Sequence, residues 1–192
     1  MAKVSIIGTG TWGIALGMVL AQNGHEVTAW SALPKEIEAL RESYKCKNLP
    51  GVEIPRSIVF TADLQEACTD KEMLVLSVPS VFTRGVAKQM NPFVKEGQLI
   101  VSVAKGIEEK TLMTMSQQIE EELPMANVAV LSGPSHAEEV SRGIPTTVVV
   151  GAKDRQTAEH IQNLFMSSVF RVYTSPDILG IELGGALKNV IA

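Results

Sequence analysis

Residues 8–13, Gly-Thr-Gly-Thr-Trp-Gly, follow directly on the apolar run 4–7 and open an apolar stretch at 11–23. Glycines at this spacing do three separate jobs. Gly8 permits a tight turn, Gly10 lets backbone approach a pyrophosphate, and Gly13 lets the following helix sit close to the strand. Amides at the start of that helix, aided by its dipole, then hold phosphate oxygens. The spacing predicts a dinucleotide site. Cofactor choice is normally written at the end of the second strand, where NAD enzymes place an acidic residue for the ribose and NADP enzymes an arginine. Here the chain offers Ser31, Ala32 and Leu33, with Lys35 beyond, which reads as a solvated surface charge. Neither a carboxylate nor a guanidinium waits there, so the pattern leaves NAD or NADP open.

Three more turns close predicted strands at the end where open α/β sheets bind ligands. They are 77–80 (Ser-Val-Pro-Ser), 102–106 (Ser-Val-Ala-Lys-Gly) and 132–137 (Ser-Gly-Pro-Ser-His-Ala). Lys105 is a candidate cation for a phosphate or a developing oxyanion. Ser135 is placed to cap the next helix. His136 reads as a surface or capping residue, because no carboxylate is positioned to orient it. On the last helical stretch, Gly184 and Gly185 stand one turn before Lys188, where missing side chains admit a ligand or another backbone. A lysine projecting from an apolar helix into a closed cleft has its pKa lowered by desolvation and by a nearby cation such as Lys105. It then suits proton exchange with a substrate hydroxyl as hydride moves.

The elements that must position these groups alternate along the chain. Strands are expected at 4–7, 26–30, 73–78, 99–103, 128–131, 146–150 and 170–173, and helices at 11–23, 33–43, 63–68, 81–90, 111–122 and 155–166. Leu112, Met115 and Ile119 form the apolar stripe of the fifth helix, and 44–62 reads as irregular around Pro50, Gly51 and Pro55. Strands and helices alternating in this way build βαβ units. The fold class is therefore α/β, a Rossmann-type doubly wound and mostly parallel sheet over residues 1–174. Residues 175–192 read as the first helix of an all-helical domain that continues in a longer protein, since an apolar helix ending without a partner is a poor terminus.

Composition narrows the function classes. A net charge of -4, from 17 Lys and Arg against 21 Asp and Glu, argues against a broad nucleic-acid footprint. Cys46 and Cys68 lie in no zinc or CxxC spacing, so no metal site and no disulfide is expected. No window has the ~18 uninterrupted apolar residues of a spanning helix, and the amino terminus lacks the plan of a signal peptide. The expected location is cytoplasmic, without membrane insertion.

Four stretches taken together carry a resemblance. IIGTGTWGIALGMVLAQNGHEV, SVAKGIE, LSGPSHAEEV and GIELGGALKNVIA, in that order, resemble the NAD(P)-dependent glycerol-3-phosphate dehydrogenase family. The resemblance implies an oxidoreductase interconverting sn-glycerol 3-phosphate and dihydroxyacetone phosphate, supplying glycerol phosphate for phospholipid synthesis. It implies Lys188 as the proton-transfer lysine and Lys105 as a contact to both cofactor and substrate. Gly133 and Ser135 then match substrate contacts, and Thr11, Trp12 and Ala137 match cofactor contacts. Ala32, matched to a cofactor contact, stands where the family commonly has Arg or His, so this chain departs from the family's pattern there. The implied partners are a small phosphorylated substrate and, for the full-length protein, a second copy in a homodimer. Two other readings compete: a related β-hydroxyacid or sugar-acid dehydrogenase, and a non-catalytic NAD(H)-binding module.

Overall fold

A computed structural model describes the backbone of residues 1–191 and the side chains of residues 1–188. Short apolar runs become strands because alternate side chains can be buried on opposite faces. In β1 (Lys3–Ile7), Val4 and Ile6 enter one apolar core while Ile7 enters the other. The same alternation splits Met73 and Val75 from Leu74 and Leu76 in β4 (Met73–Leu76), and Leu99 and Val101 from Ile100 in β5 (Leu99–Ser102). A sheet with two apolar faces needs helices on both. One layer contains α1 (Thr11–Gln22), α2 (Pro34–Ser43), α6 (Ala137–Ser141) and α7 (Arg155–Phe165). The opposite layer contains α3 (Leu64–Cys68), α4 (Thr83–Met90) and α5 (Met115–Glu122).

The remaining strands are β2 (Glu26–Trp30), β3 (Val59–Thr61), β6 (Asn127–Ser132), β7 (Thr146–Gly151) and β8 (Phe170–Ser175). They form one eight-stranded sheet in the order β3-β2-β1-β4-β5-β6-β7-β8. Neighbours are parallel except β6 and β7, which pair antiparallel with Ser132 opposite Val149. The expected doubly wound, mostly parallel α/β architecture is what the chain adopts. β2 and β3 lie to one side of β1 and the later strands to the other, so the sheet reverses direction beside β1. That reversal opens a crevice at the strands' carboxyl ends. Helix α8 (Ile178–Ile191) packs across β6 and β7. Ala192, the end of the helical stretch expected at 177–192, lies outside the described residues.

Several expected boundaries move. β3 sits inside the stretch read as irregular, because three residues next to Pro55 and Gly51 are too few to show a period. The fifth helix begins at Met115, not at residue 111. Thr114 and Gln117 form a reciprocal capping box there, satisfying two free amides at once. Leu112 is therefore no part of the helix stripe. It is 76% exposed, with φ at 59°, in a hairpin closed by the Ile107–Thr114 bridge.

Candidate dinucleotide cleft and paired lysines

The glycine loop is tied down at both of its ends. Gly8 donates its amide to the Trp30 carbonyl at 2.9 Å and takes φ +121°, a region side chains rarely adopt. The Ser77 hydroxyl, just past β4, donates to the Gly8 carbonyl at 2.8 Å and lies near that of Ile7 at 3.2 Å. A Cβ on Gly13 would stand 2.2 Å from the Gly8 oxygen and 2.5 Å from Ser77 Oγ. Only glycine lets α1 start this close to β1. Gly10, by contrast, is exposed, and a Cβ there would meet nothing within 4 Å.

Gly10 is the N-cap of α1, with no side-chain cap and no acidic residue in the first turn. The leading amides of a helix have no partner within it, so Thr11, Trp12 and Gly13 begin the helix at an uncapped, partly positive end. Two buried polar atoms beside them, Thr9 Oγ1 and Trp12 Nε1, lack any hydrogen-bond partner. Trp12 lines a cleft of about 580 Å³, together with Gly10, Ser80, Lys105, Ser135 and Ala137. Open glycine, uncapped helix and orphaned donors fit a phosphate-bearing cofactor.

Lys105 follows β5 and joins this cleft to a second space. Its ammonium donates to the Gly133 carbonyl at 3.0 Å. Gly133 lines a neighbouring, more apolar cavity of about 430 Å³ with Ser132, Gly184, Gly185 and Lys188. Burial lowers the Lys105 pKa, and the nearby charge of Lys188 lowers it further. Both observations put the two ammonium groups on the same side of the molecule. Gly185 makes this approach possible: a Cβ there would sit 2.7 Å from Ser132 Oγ and 3.5 Å from Lys105 Cγ. Helix α8 is locked from outside the cavity by Glu182, which is buried and accepts from Ser116 N at 2.8 Å and Ser116 Oγ at 2.6 Å.

Ser135 takes a place different from the one expected, while His136 lies at the surface, as expected. Ser135 is buried and turns back, its amide donating to the Gly133 carbonyl at 2.9 Å, so it does not cap α6. The N-cap of α6 is His136, exposed and making no side-chain cap bond. Ala32 lies exposed just past β2. Beside it the expectation of no carboxylate fails. Glu36, in the first turn of α2, folds back so that the Ser31 hydroxyl donates to its Oε2 at 2.6 Å. The sequence hides this because Ser31 stands two residues before the N-cap Leu33, outside the usual capping-box spacing. Both thiols are free. Burial pushes the Cys68 thiol up to about 12, which makes it a poor nucleophile.

Comparison with known proteins places this geometry in a family. The model for the NAD-dependent glycerol-3-phosphate dehydrogenase N-terminus matches residues 3–158. A glycerol-3-phosphate dehydrogenase [NAD(P)+] of Agathobacter rectalis is 62% identical over 193 residues, covering 100% of this chain and 57% of that protein. The corresponding protein of Fusobacterium nucleatum is 54% identical over 195 residues, covering 100% of this chain and 58% of that one. Among solved structures, a glycerol-3-phosphate dehydrogenase from Coxiella burnetii superposes with a TM-score of 0.93 at 28% identity, over 99% of this chain and 58% of that one. The chain thus spans somewhat more than half the length of the relatives it matches. It belongs to the family of the NAD-dependent glycerol-3-phosphate dehydrogenase N-terminus.

Proposed function

We propose that these residues form the cofactor-binding part of an oxidoreductase that interconverts sn-glycerol 3-phosphate and dihydroxyacetone phosphate with NAD(H) or NADP(H). The observation that carries this reading is the pairing of Lys105 and Lys188 at the junction of the two spaces, next to the glycine loop. Gly8, Gly10, Thr11, Trp12 and Gly13 would hold the pyrophosphate at the start of α1, with Ala32 at the ribose end and Ala137 across the cleft. When bound, the nicotinamide supplies the hydride acceptor and donor. Lys105, Gly133 and Ser135 would orient the phosphorylated substrate. The Lys105 ammonium offers positive charge, and Gly133 and Ser135 offer the backbone of a tight turn.

Lys188 would move the proton. In the reductive direction its ammonium gives a proton to the carbonyl oxygen of dihydroxyacetone phosphate as that oxygen becomes a hydroxyl. In the oxidative direction its amine takes the hydroxyl proton back. Helix α8 (Ile178–Ile191) is then the first helix of a substrate domain, which begins after β8 ends at Ser175 and not at residue 175 itself. The broader role is supply of glycerol phosphate for phospholipids in the cytoplasm, by a protein acting on a small molecule and not on nucleic acid, and paired as a homodimer. No helix among the described residues is long and apolar enough to cross a membrane.

The test is steady-state oxidation of NADH and NADPH by a full-length protein containing these residues. Dihydroxyacetone phosphate should be reduced. Lys188→Ala should lower kcat by ~100-fold or more, the range for a lost general acid, while cofactor affinity stays within a few-fold. Ordinary turnover by that variant removes Lys188 from the chemistry. Preference for a 3-hydroxy acid over the phosphorylated substrate would move the protein to a different dehydrogenase class.

A further inference from the structure

We infer that this chain selects NAD(H) over NADP(H), and that Glu36, held in place by Ser31, is the residue that discriminates. The inference rests on the dinucleotide reading above and deepens it. The end of β2 adjoins the glycine loop, since Gly8 donates to the carbonyl of Trp30 at 2.9 Å. Ser31 comes next and is 6% exposed. Its amide donates to the Thr61 carbonyl, its hydroxyl accepts from Leu33 N at 3.2 Å, and that hydroxyl donates to Glu36 Oε2 at 2.6 Å. The hydroxyl has its donor and one acceptor site committed, so it fixes where the carboxylate stands. A carboxylate offers about four acceptor sites, and Ser31 takes one.

An adenosine ribose at the end of β2 meets that carboxylate with its hydroxyls. In NAD(H) the 2′- and 3′-hydroxyls both donate, and hydrogen bonds to an ionised acceptor are the stronger kind. In NADP(H) the 2′ position carries a phosphate, anionic and without a donor, which Glu36 repels. The usual remedies are missing. Ala32 puts a methyl group where a guanidinium would pair with phosphate. Lys35 adjoins Glu36 in sequence, and adjacent residues on a helix do not share a face. Arg41, on the same helix, is committed to the Phe60 carbonyl through Nε at 2.9 Å and a second nitrogen at 2.6 Å. Glu36 also occupies the first turn of α2, so it offsets the partial positive charge that would otherwise attract a phosphate.

Isothermal titration of the 192-residue chain with NADH and with NADPH tests the assignment, without any need for turnover. NADH should bind at least ~10-fold more tightly, the scale of one hydrogen bond to a charged group. Glu36→Gln should narrow that ratio by ~10-fold, losing the repulsion as well as the stronger bonds. Ser31→Ala should narrow it less, since the carboxylate survives but loses its anchor. Ala32→Arg should narrow it from the other side, by tightening NADPH. Equal or reversed affinities in the parent chain overturn the inference and leave the dehydrogenase reading standing. So does an unchanged ratio in a Glu36→Gln chain that keeps the parent's circular dichroism and melting. Binding of neither dinucleotide at millimolar concentration overturns both.

Discussion

The low proton affinity of Lys105 has two causes, burial first and the charge of Lys188 second. The second can be removed without touching the first. Lys188→Met deletes the neighbouring charge and leaves Lys105 as buried as before, so Lys105 should then titrate at higher pH. Side-chain NMR of isotope-labelled lysine reads this directly. An unmoved Lys105 resonance would mean that the two ammonium groups do not sense each other, and the paired-lysine site would lose its physical basis. Lys105, Lys188 and the three loop glycines were readable in the sequence because each sits at a fixed offset from a strand end or a helix turn. Glu36 and Glu182 were not. Each reaches its partner through a fold-back or a tertiary contact, Ser31 for one and Ser116 for the other. A period of 2 or 3.6 residues carries no sign of such contacts.

At the scale of elements, Glu182 decides where α8 lies. It accepts from the first turn of α5, whose leading amides have no helical partner, and stands at the positive end of that helix. Glu182→Ala leaves the buried Ser116 amide unpaired and its hydroxyl with only Thr114 Oγ1, 3.3 Å away, a change that costs about 1–3 kcal/mol. Glu182→Gln keeps an acceptor and should cost less. Chemical denaturation of the 192-residue chain gives both values, and equal stability of parent and Ala variant would rule out the anchor. The hairpin before α5 is pinned by a second contact. Arg84 of α4 grips Glu108 with two bonds of 2.8 Å and also meets Glu121 and Glu122. Hydrogen bonds from Arg84, then Thr111, hold the Glu108 carboxyl down at about 2. A carboxyl lowered on folding contributes stability in full above its ordinary value near 4.5, and that stability is lost as pH falls through about 2. Glu108→Gln should therefore melt below the parent at neutral pH, with the gap closing between pH 4.5 and 2. A gap that stays constant over that window would place the effect elsewhere. The late start of α5 also shows why its boundary was misjudged. Leu112 continues the helical spacing of Met115 and Ile119, but Thr114 makes a better N-cap than anything upstream.

At the scale of the whole molecule, function follows from strand order, which local pattern cannot supply. Periodicity gives the elements; only pairing decides that β1 lies between β2 and β4 and so opens the crevice where it does. The antiparallel turn into β7 has the same standing. Because β7 returns beside β6, residues 133–145 leave and re-enter the sheet at one end, which keeps Ser135 and α6 at the cleft and Gly133 at the neighbouring cavity. A dinucleotide lying there would touch turns after β1, β5 and β6 together, and a ligand bound only to the folded state raises the stability of the whole domain. At 100 times Kd the gain is about 2.7 kcal/mol, or roughly 5–10 °C in Tm for a chain of this size. Gly10 separates this effect from folding. Its backbone is extended, at φ -61° and ψ 167°, and a Cβ there meets nothing within 4 Å beyond its chain neighbours. Gly10→Val should therefore melt as the free parent does, or slightly higher through a less flexible unfolded chain. Its isopropyl group would nevertheless occupy the approach to the first amides of α1, and the NADH-induced rise in Tm should vanish. A rise that persists in Gly10→Val would put the nucleotide somewhere other than the glycine loop, and the lysine pair would lose its cofactor.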